Sequence, residues 1–317
     1  MGLRAGELVL LVAASGVWVT PLWMVALGVL VCVVALAATA GLMRVAVPKI
    51  AAIAQTTAKE GLAQPLFYVL LAVGVFALLL FPFVSYNTLG EDVKMLKTEG
   101  LTLIKVLAII LALWTASVSI ADEIEGRTAL TLLSKPVSRR QFVLGKFLGI
   151  LVPVAILFLV LGAIFLATVS YKVAYDAREN SYPDPSWRDC SAEMLQVSPG
   201  LAASFLETMI LASISVAIST RLPMLPNLII CASIYVLGHL VPMLLESSAV
   251  QFPLVSFTGK LISAVLPGLA HFNMESLVSA GKQLPPLYLL AATAYSLGYC
   301  AVAMLVALLL FEDRDLA

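Results

Sequence analysis

Few side chains in this sequence could do chemistry, and they fall in two places. One is a single acid, Glu207, inside the apolar run "AASFLETMILA". A carboxylate within a membrane-crossing helix is a functional candidate, because placing a charge there costs about 3 kcal/mol even on the most lenient scales. If its helix starts near residue 201, Glu207 sits about 10 Å below the outer end. If the helix starts later, it sits at the interface instead. The other place is "ADEIEGRTALTLLSKPVSRRQFVLGKF", residues 121–147. Asp122, Glu123 and Glu125 close one apolar run, and Arg139 and Arg140 open the next. Helix dipoles favour the reverse order, by roughly 0.3–1 kcal/mol per charge, so something other than local helix stability set these charges.

The same stretch has internal order. Glu123 and Arg127 are spaced i,i+4 in the favourable sense, which carries the helix past the membrane. Leu130 and Leu133 share a face beyond it, and Pro136 ends the turn. Ser138 followed three residues later by Gln141 is a capping-box signature, placing the next helix start at Arg139. Gly145 and Gly149, four apart, allow another helix to approach closely. The chemistry this suits is docking of a charged helical elbow onto a protein surface; the simpler alternative is a solvated loop on the positive side of the membrane.

Other chemistries have no residues to carry them. There is no "GxxxxGK[ST]" phosphate loop, no "HExxH", no "GxSxG" and no Cys-x-x-Cys. His239 and His271 are far apart, and His239, inside an apolar run, is read as bonded to a neighbouring backbone or hydroxyl group. Cys32, Cys190, Cys231 and Cys300 lack metal-ligand spacing and read as small packing residues. No catalytic, cofactor-binding or metal-binding residue is therefore assigned. The 19 basic and 19 acidic side chains cancel, which gives no footprint for nucleic acid.

These residues must be held by membrane helices. Of 317 residues, 61% are hydrophobic and 12% charged, against about 25% charged in a soluble domain. A hydrocarbon core about 30 Å thick takes around 20 helical residues, and seven runs qualify: 20–43, 66–86, 101–121, 142–170, 201–220, 226–246 and 287–311. The first is preceded by a further apolar stretch, so residues 1–46 read as an N-terminal apolar segment with an extra span, within which residues 1–43 form one span, a hairpin or a signal. Residues 47–65 alternate at helical spacing, with Ile50, Ile53, Ala54, Ala58 and Leu62 on one face, and read as an amphipathic helix on the cytoplasmic surface. Residues 66–317 form the main transmembrane unit. Basic residues in the 44–65 and 122–146 segments put both inside, leaving outward connectors at 87–100, 171–200 and 247–286 and a cytoplasmic C-terminus. Lys105 is read as snorkelling to the outer surface. The segment 252–273, broken by Lys260 and Pro267, is read as a short helix dipping into the outer leaflet, with a full extra span as the alternative. Tyr295 and Tyr299, one turn apart, point toward the bundle interior.

The stretch "EIEGRTALTLLSKPVSRRQFVLGKFLG" resembles the signature of ABC-2 type transporter permeases, on Glu123, Glu125, Gly126, Thr128, Leu132, Leu133, Ser134, Pro136, Ser138, Arg139, Gly145 and Lys146. Arg127 departs from it. "LPGLAHFN" (266–273) and "LFEDRDL" (310–316) look like later segments of the same family, and the branch most resembled includes permeases for nitrous-oxide-reductase maturation. The resemblance covers roughly residues 59–317. It implies an all-α polytopic bundle of type V exporter kind, with six core spans plus an extra N-terminal one, in a bacterial cytoplasmic membrane. It also implies that the 122–141 elbow couples to a separate ATP-binding cassette subunit through Glu123, Glu125, Arg127, Leu130, Leu133, Ser134, Pro136, Arg139, Arg140 and Lys146. ATP and magnesium would be bound by that partner and not by this chain, and a second permease copy or a related permease would complete the complex.

Three functional readings stand at this stage. The first is a permease subunit exporting an unidentified substrate. The second is a mechanotransmitter that moves a periplasmic partner with nothing crossing. The third is an ion-coupled secondary transporter using Glu207, against which stand a single buried acid and the lack of an inverted repeat.

Overall fold

The computed structural model describes residues 16–84, 92–125, 138–179, 183, 185–246, 253–274, 277 and 285–312. Among them there is no strand. The helices are α1 (Leu22–Ala46), α2 (Pro48–Ala63), α3 (Pro65–Leu80, continued by a 3-10 turn Phe81–Phe83), α4 (Asp92–Glu125) and α5 (Arg139–Glu179). After them come α6 (Trp187–Ser219), α7 (Met224–Glu246), α8 (Pro253–Val265), a 3-10 turn Leu269–Phe272 and α9 (Pro286–Glu312). Seven of these are long and apolar enough to cross a membrane: α1, α3, α4, α5, α6, α7 and α9. They coincide with the seven apolar runs of the sequence.

The helices are longer than the apolar runs that announce them. Helix α5 has 41 residues, about 60 Å at 1.5 Å per residue, or twice the hydrocarbon thickness. Residues 171–179 and 187–200, expected in an outward connector, continue α5 and α6, and residues 92–100 belong to α4. Paired charges allow this. The buried Lys172 ammonium lies 3.3 Å from Asp92 and donates to the Pro82 carbonyl at 3.3 Å. Buried Lys97 binds Glu193 and, at 3.2 Å, Gln196. A hydropathy count stops at such residues, whereas a helix whose charges are neutralised by neighbours does not.

Helix α6 is the centre of the bundle, packed against α4, α5, α7 and α9. From Ala203 to Ser219 every residue except Phe205 and Ile218 is buried. Its small residues, among them Ala203, Ser204, Ala212, Ser213, Ser215 and Ala217, let four neighbours approach closely, as helix association in lipid requires. By contrast α1 has no buried residue. Its exposed leucines and valines are at no disadvantage in hydrocarbon, which is as apolar as they are.

Helix α2 packs along α5 through Ala51, Ala54, Thr57, Ala58 and Gly61, all buried. This face is rotated from the one read in the sequence: Ile50, Ile53 and Leu62 are only half-buried. The reason lies in α5. A Cβ at Gly149 would stand 2.7 Å from the Ala54 carbonyl oxygen and 2.6 Å from Thr57 Cβ, and one at Gly145 would stand 2.7 Å from Ile53 Cβ. The two glycines bring the backbones together along Ile53, Ala54 and Thr57 of α2.

Candidate functional site

Glu207 lies twenty residues into α6 and is fully buried. Helix α6 starts earlier than its apolar run, and the carboxylate is enclosed by protein. Facing it from α4 is Lys105, 3% exposed, with Nζ 3.7 Å from Glu207 Oε2. Lys105 therefore does not snorkel to the surface: it turns inward, where a carboxylate satisfies its charge. From α7, His239 brings Nε2 to 3.3 Å from Glu207 Oε1. Its Nδ1 meets the Tyr235 carbonyl at 3.0 Å, and the Tyr235 ring lies 4.7 Å away. The backbone contact expected of His239 is present, and the approach to Glu207 is an addition to it. Three helices thus meet at one carboxylate about 20 Å below the start of α4. Removing one partner of such a buried pair costs about 3–5 kcal/mol.

The elbow is framed by its two helices. Arg127, Leu130, Leu133, Ser134 and Pro136 lie outside the described residues, and for Glu123 and Glu125 only the helical backbone at the end of α4 is described. At the start of α5 the capping box is made as the sequence implies: the Ser138 amide donates to Gln141 Oε1 at 3.1 Å, and the Gln141 amide donates to Ser138 Oγ at 3.3 Å. Arg139 does not face its own helix dipole. It donates to the Phe311 carbonyl at 3.2 Å and lies over the Phe311 ring. Phe311 is in the last turn of α9, whose carbonyls lack intrahelical partners and carry the negative end of that dipole. One of the misplaced charges is thereby explained inside the chain. Arg140 is exposed. Lys146 is 3% exposed, with Nζ 3.6 Å from Glu60 on α2, and so joins α5 to α2. The elbow's α5 root is accordingly fixed to both α9 and α2.

Compared with known protein families, residues 94–316 match the ABC-2 family transporter proteins. That stretch takes in the Glu207 cluster, the elbow and both of its helices. The chain belongs to this family. No curated protein matches it at a significant level. The family consists of multi-pass membrane permeases without an ATPase site of their own, which work with an ATP-binding subunit. The match is to the family as a whole and assigns no branch. Helices α1, α2 and α3 precede the matched region.

Two features of this ABC-2 chain were not read from its sequence. Asn227, at the start of α7, places Nδ2 2.7 Å from Ser117 Oγ on α4 and 2.8 and 2.9 Å from Ser215 and Ser219 Oγ on α6, and its two hydrogens are shared among these three oxygens. All four side chains are fully buried. The signal was present as an asparagine within an apolar run, which in lipid must find partners. The second is a line of tyrosines on α9. Tyr288 donates to the His271 carbonyl at 2.7 Å, Tyr295 accepts from the Gly268 amide at 3.0 Å, and Tyr299 donates to the Val265 carbonyl at 3.3 Å. They bind the chain between α8 and its 3-10 turn along α9, so Tyr295 and Tyr299 serve that segment and not the bundle interior. The segment packs on α6 and α7, with Leu269 against Gly238, next to His239.

Proposed function

We propose that this chain is the permease subunit of an ABC exporter in a bacterial cytoplasmic membrane, pairing with a second permease and two copies of a separate ATP-binding subunit. The family match across residues 94–316 carries this reading. The elbow joins α4 and α5, which run the depth of the bundle and flank α6. A motor that displaces the elbow would move both helices against Glu207's helix, selecting between two arrangements by differential binding. Glu123, Glu125 and Arg140 supply the charge for the motor's surface, with Leu130 and Leu133 as the apolar contact. Arg139 and Lys146 anchor the elbow's root to α9 and α2 and transmit its motion.

Reversing Glu123 and Glu125 to lysine tests this. Each cross-interface charge pair removed costs about 2–5 kcal/mol if buried. Loss of copurification with the ATP-binding subunit, or loss of coupled hydrolysis, is expected. Membrane insertion should stay normal, since two added lysines strengthen the positive-inside bias. Wild-type assembly and hydrolysis would remove these acids from the interface. A second reading, mechanotransmission to a periplasmic partner, is favoured by the reach of α4, α5 and α6 beyond the bilayer. Reconstituted vesicles separate the two, since only the first moves a substrate.

A further inference from the structure

We propose that Lys105, Glu207 and His239 form a proton-binding lock, in which one proton held between Glu207 and His239 closes α7 onto α6.

The hydrogen inventory of the cluster leads there. A backbone carbonyl only accepts, so the 3.0 Å contact from His239 Nδ1 to the Tyr235 oxygen places a hydrogen on Nδ1. In a neutral imidazole the other nitrogen then carries a lone pair. That nitrogen, Nε2, faces Glu207 Oε1 at 3.3 Å. Two lone pairs set against each other in a fully buried position repel, so the closed arrangement holds a proton on one atom or the other. Lys105 does not supply it: its ammonium lies at the second oxygen, Oε2. When the proton leaves, the carboxylate keeps Lys105, and repulsion separates His239, and α7 with it, from α6.

The placement of the three residues supports a switch more than a brace. Lys105 and Glu207 are 3% and 0% exposed, whereas His239 is 21% exposed. The histidine thus reaches from the buried carboxylate toward the outer face of α7. Helix α7 packs against α4, α6, α8 and the 3-10 turn. Glu207 meets His239 from α6, and Lys105 of α4 meets that same carboxylate. Lys260 on α8 and His271 on the turn are exposed on the surface.

The chain has only two histidines, which makes the test direct. In full-length protein in lipid nanodiscs, ¹⁵N-histidine spectra read the protonation of His239, with His271→Gln assigning the signals. Spin labels on cysteines replacing the exposed Leu195 of α6 and Leu237 of α7, in a Cys32→Ser background, read the seam. Between about pH 5 and pH 8, loss of one proton from the cluster should accompany a longer-distance population. The open-to-closed ratio should rise with pH by no more than about tenfold per unit, the limit for one linked proton. Glu207→Gln offers an amide donor to Nε2 and should stay closed throughout, and His239→Gln should also lose the pH dependence. A distance distribution independent of pH in the wild type, or one that still shifts in folded Glu207→Gln, overturns the lock. Neither readout involves nucleotide or a partner, so this test can fail while the permease reading stands, and the reverse.

Discussion

Replacing Gly149 with alanine should loosen the contact between α2 and α5. The added Cβ would lie 2.7 Å from the Ala54 carbonyl oxygen and 2.6 Å from Thr57 Cβ, where ordinary contacts begin at 3.4 Å. Neither atom is the end of a flexible side chain, so α2 itself must move. Overpacking of this kind costs about 1–3 kcal/mol. Alanine's better helix propensity returns about 1 kcal/mol, leaving a net loss of up to ~2 kcal/mol. Gly28→Ala is the matched control, since nothing lies within 4 Å of its Cβ; it should be neutral or stabilised by up to about 1 kcal/mol. Unfolding midpoints of the two variants in one detergent read the difference. Adding Thr57→Ala should not rescue Gly149→Ala, because the Ala54 carbonyl and the Cβ at 57 remain. A Gly149→Ala protein as stable as the Gly28→Ala one would refute the close approach.

Three further outcomes are expected. Lys105→Met should destabilise the protein by about 3–5 kcal/mol, and pairing it with Glu207→Leu should recover most of that, because an unpartnered buried charge costs more than an apolar replacement of the pair; detergent unfolding of the single and double variants checks it. Tyr288→Phe and Tyr295→Phe should each weaken the hold of α9 on the 265–272 segment by about 1 kcal/mol, seen as faster labelling of a cysteine placed at Ala270. Cysteines at the exposed positions Ser138 and Pro183 should be labelled only from the cytoplasm and only from outside, respectively, with impermeant reagents on sealed vesicles.

The spans were legible because their apolar residues are contiguous, and Pro48, Pro65, Pro253 and Pro286 mark helix starts. Hydropathy could not show where α4, α5 and α6 end, since Asp92, Lys97, Lys172 and Glu193 settle that by pairing across helices. Glu207 was visible as an isolated acid, but its partners were not. Lys105 and His239 lie 102 residues before it and 32 after it in the chain, and only the packing of α4 and α7 on α6 joins them. The capping box at Ser138 and the glycines at 145 and 149 were readable because their physics is local. Arg139 was readable as a misplaced charge, while its partner on α9, 172 residues away, was not.

The central proposal is that the 122–141 elbow docks on a separate ATP-binding subunit. The most direct measurement replaces Leu133 with a photocrosslinking amino acid in cells and identifies the adduct by mass spectrometry. The expected result is one dominant adduct to an ATP-binding cassette protein, lost when Glu123 and Glu125 are reversed to lysine. An elbow that crosslinks only to this chain itself, or to nothing, while the protein is correctly inserted, would contradict it.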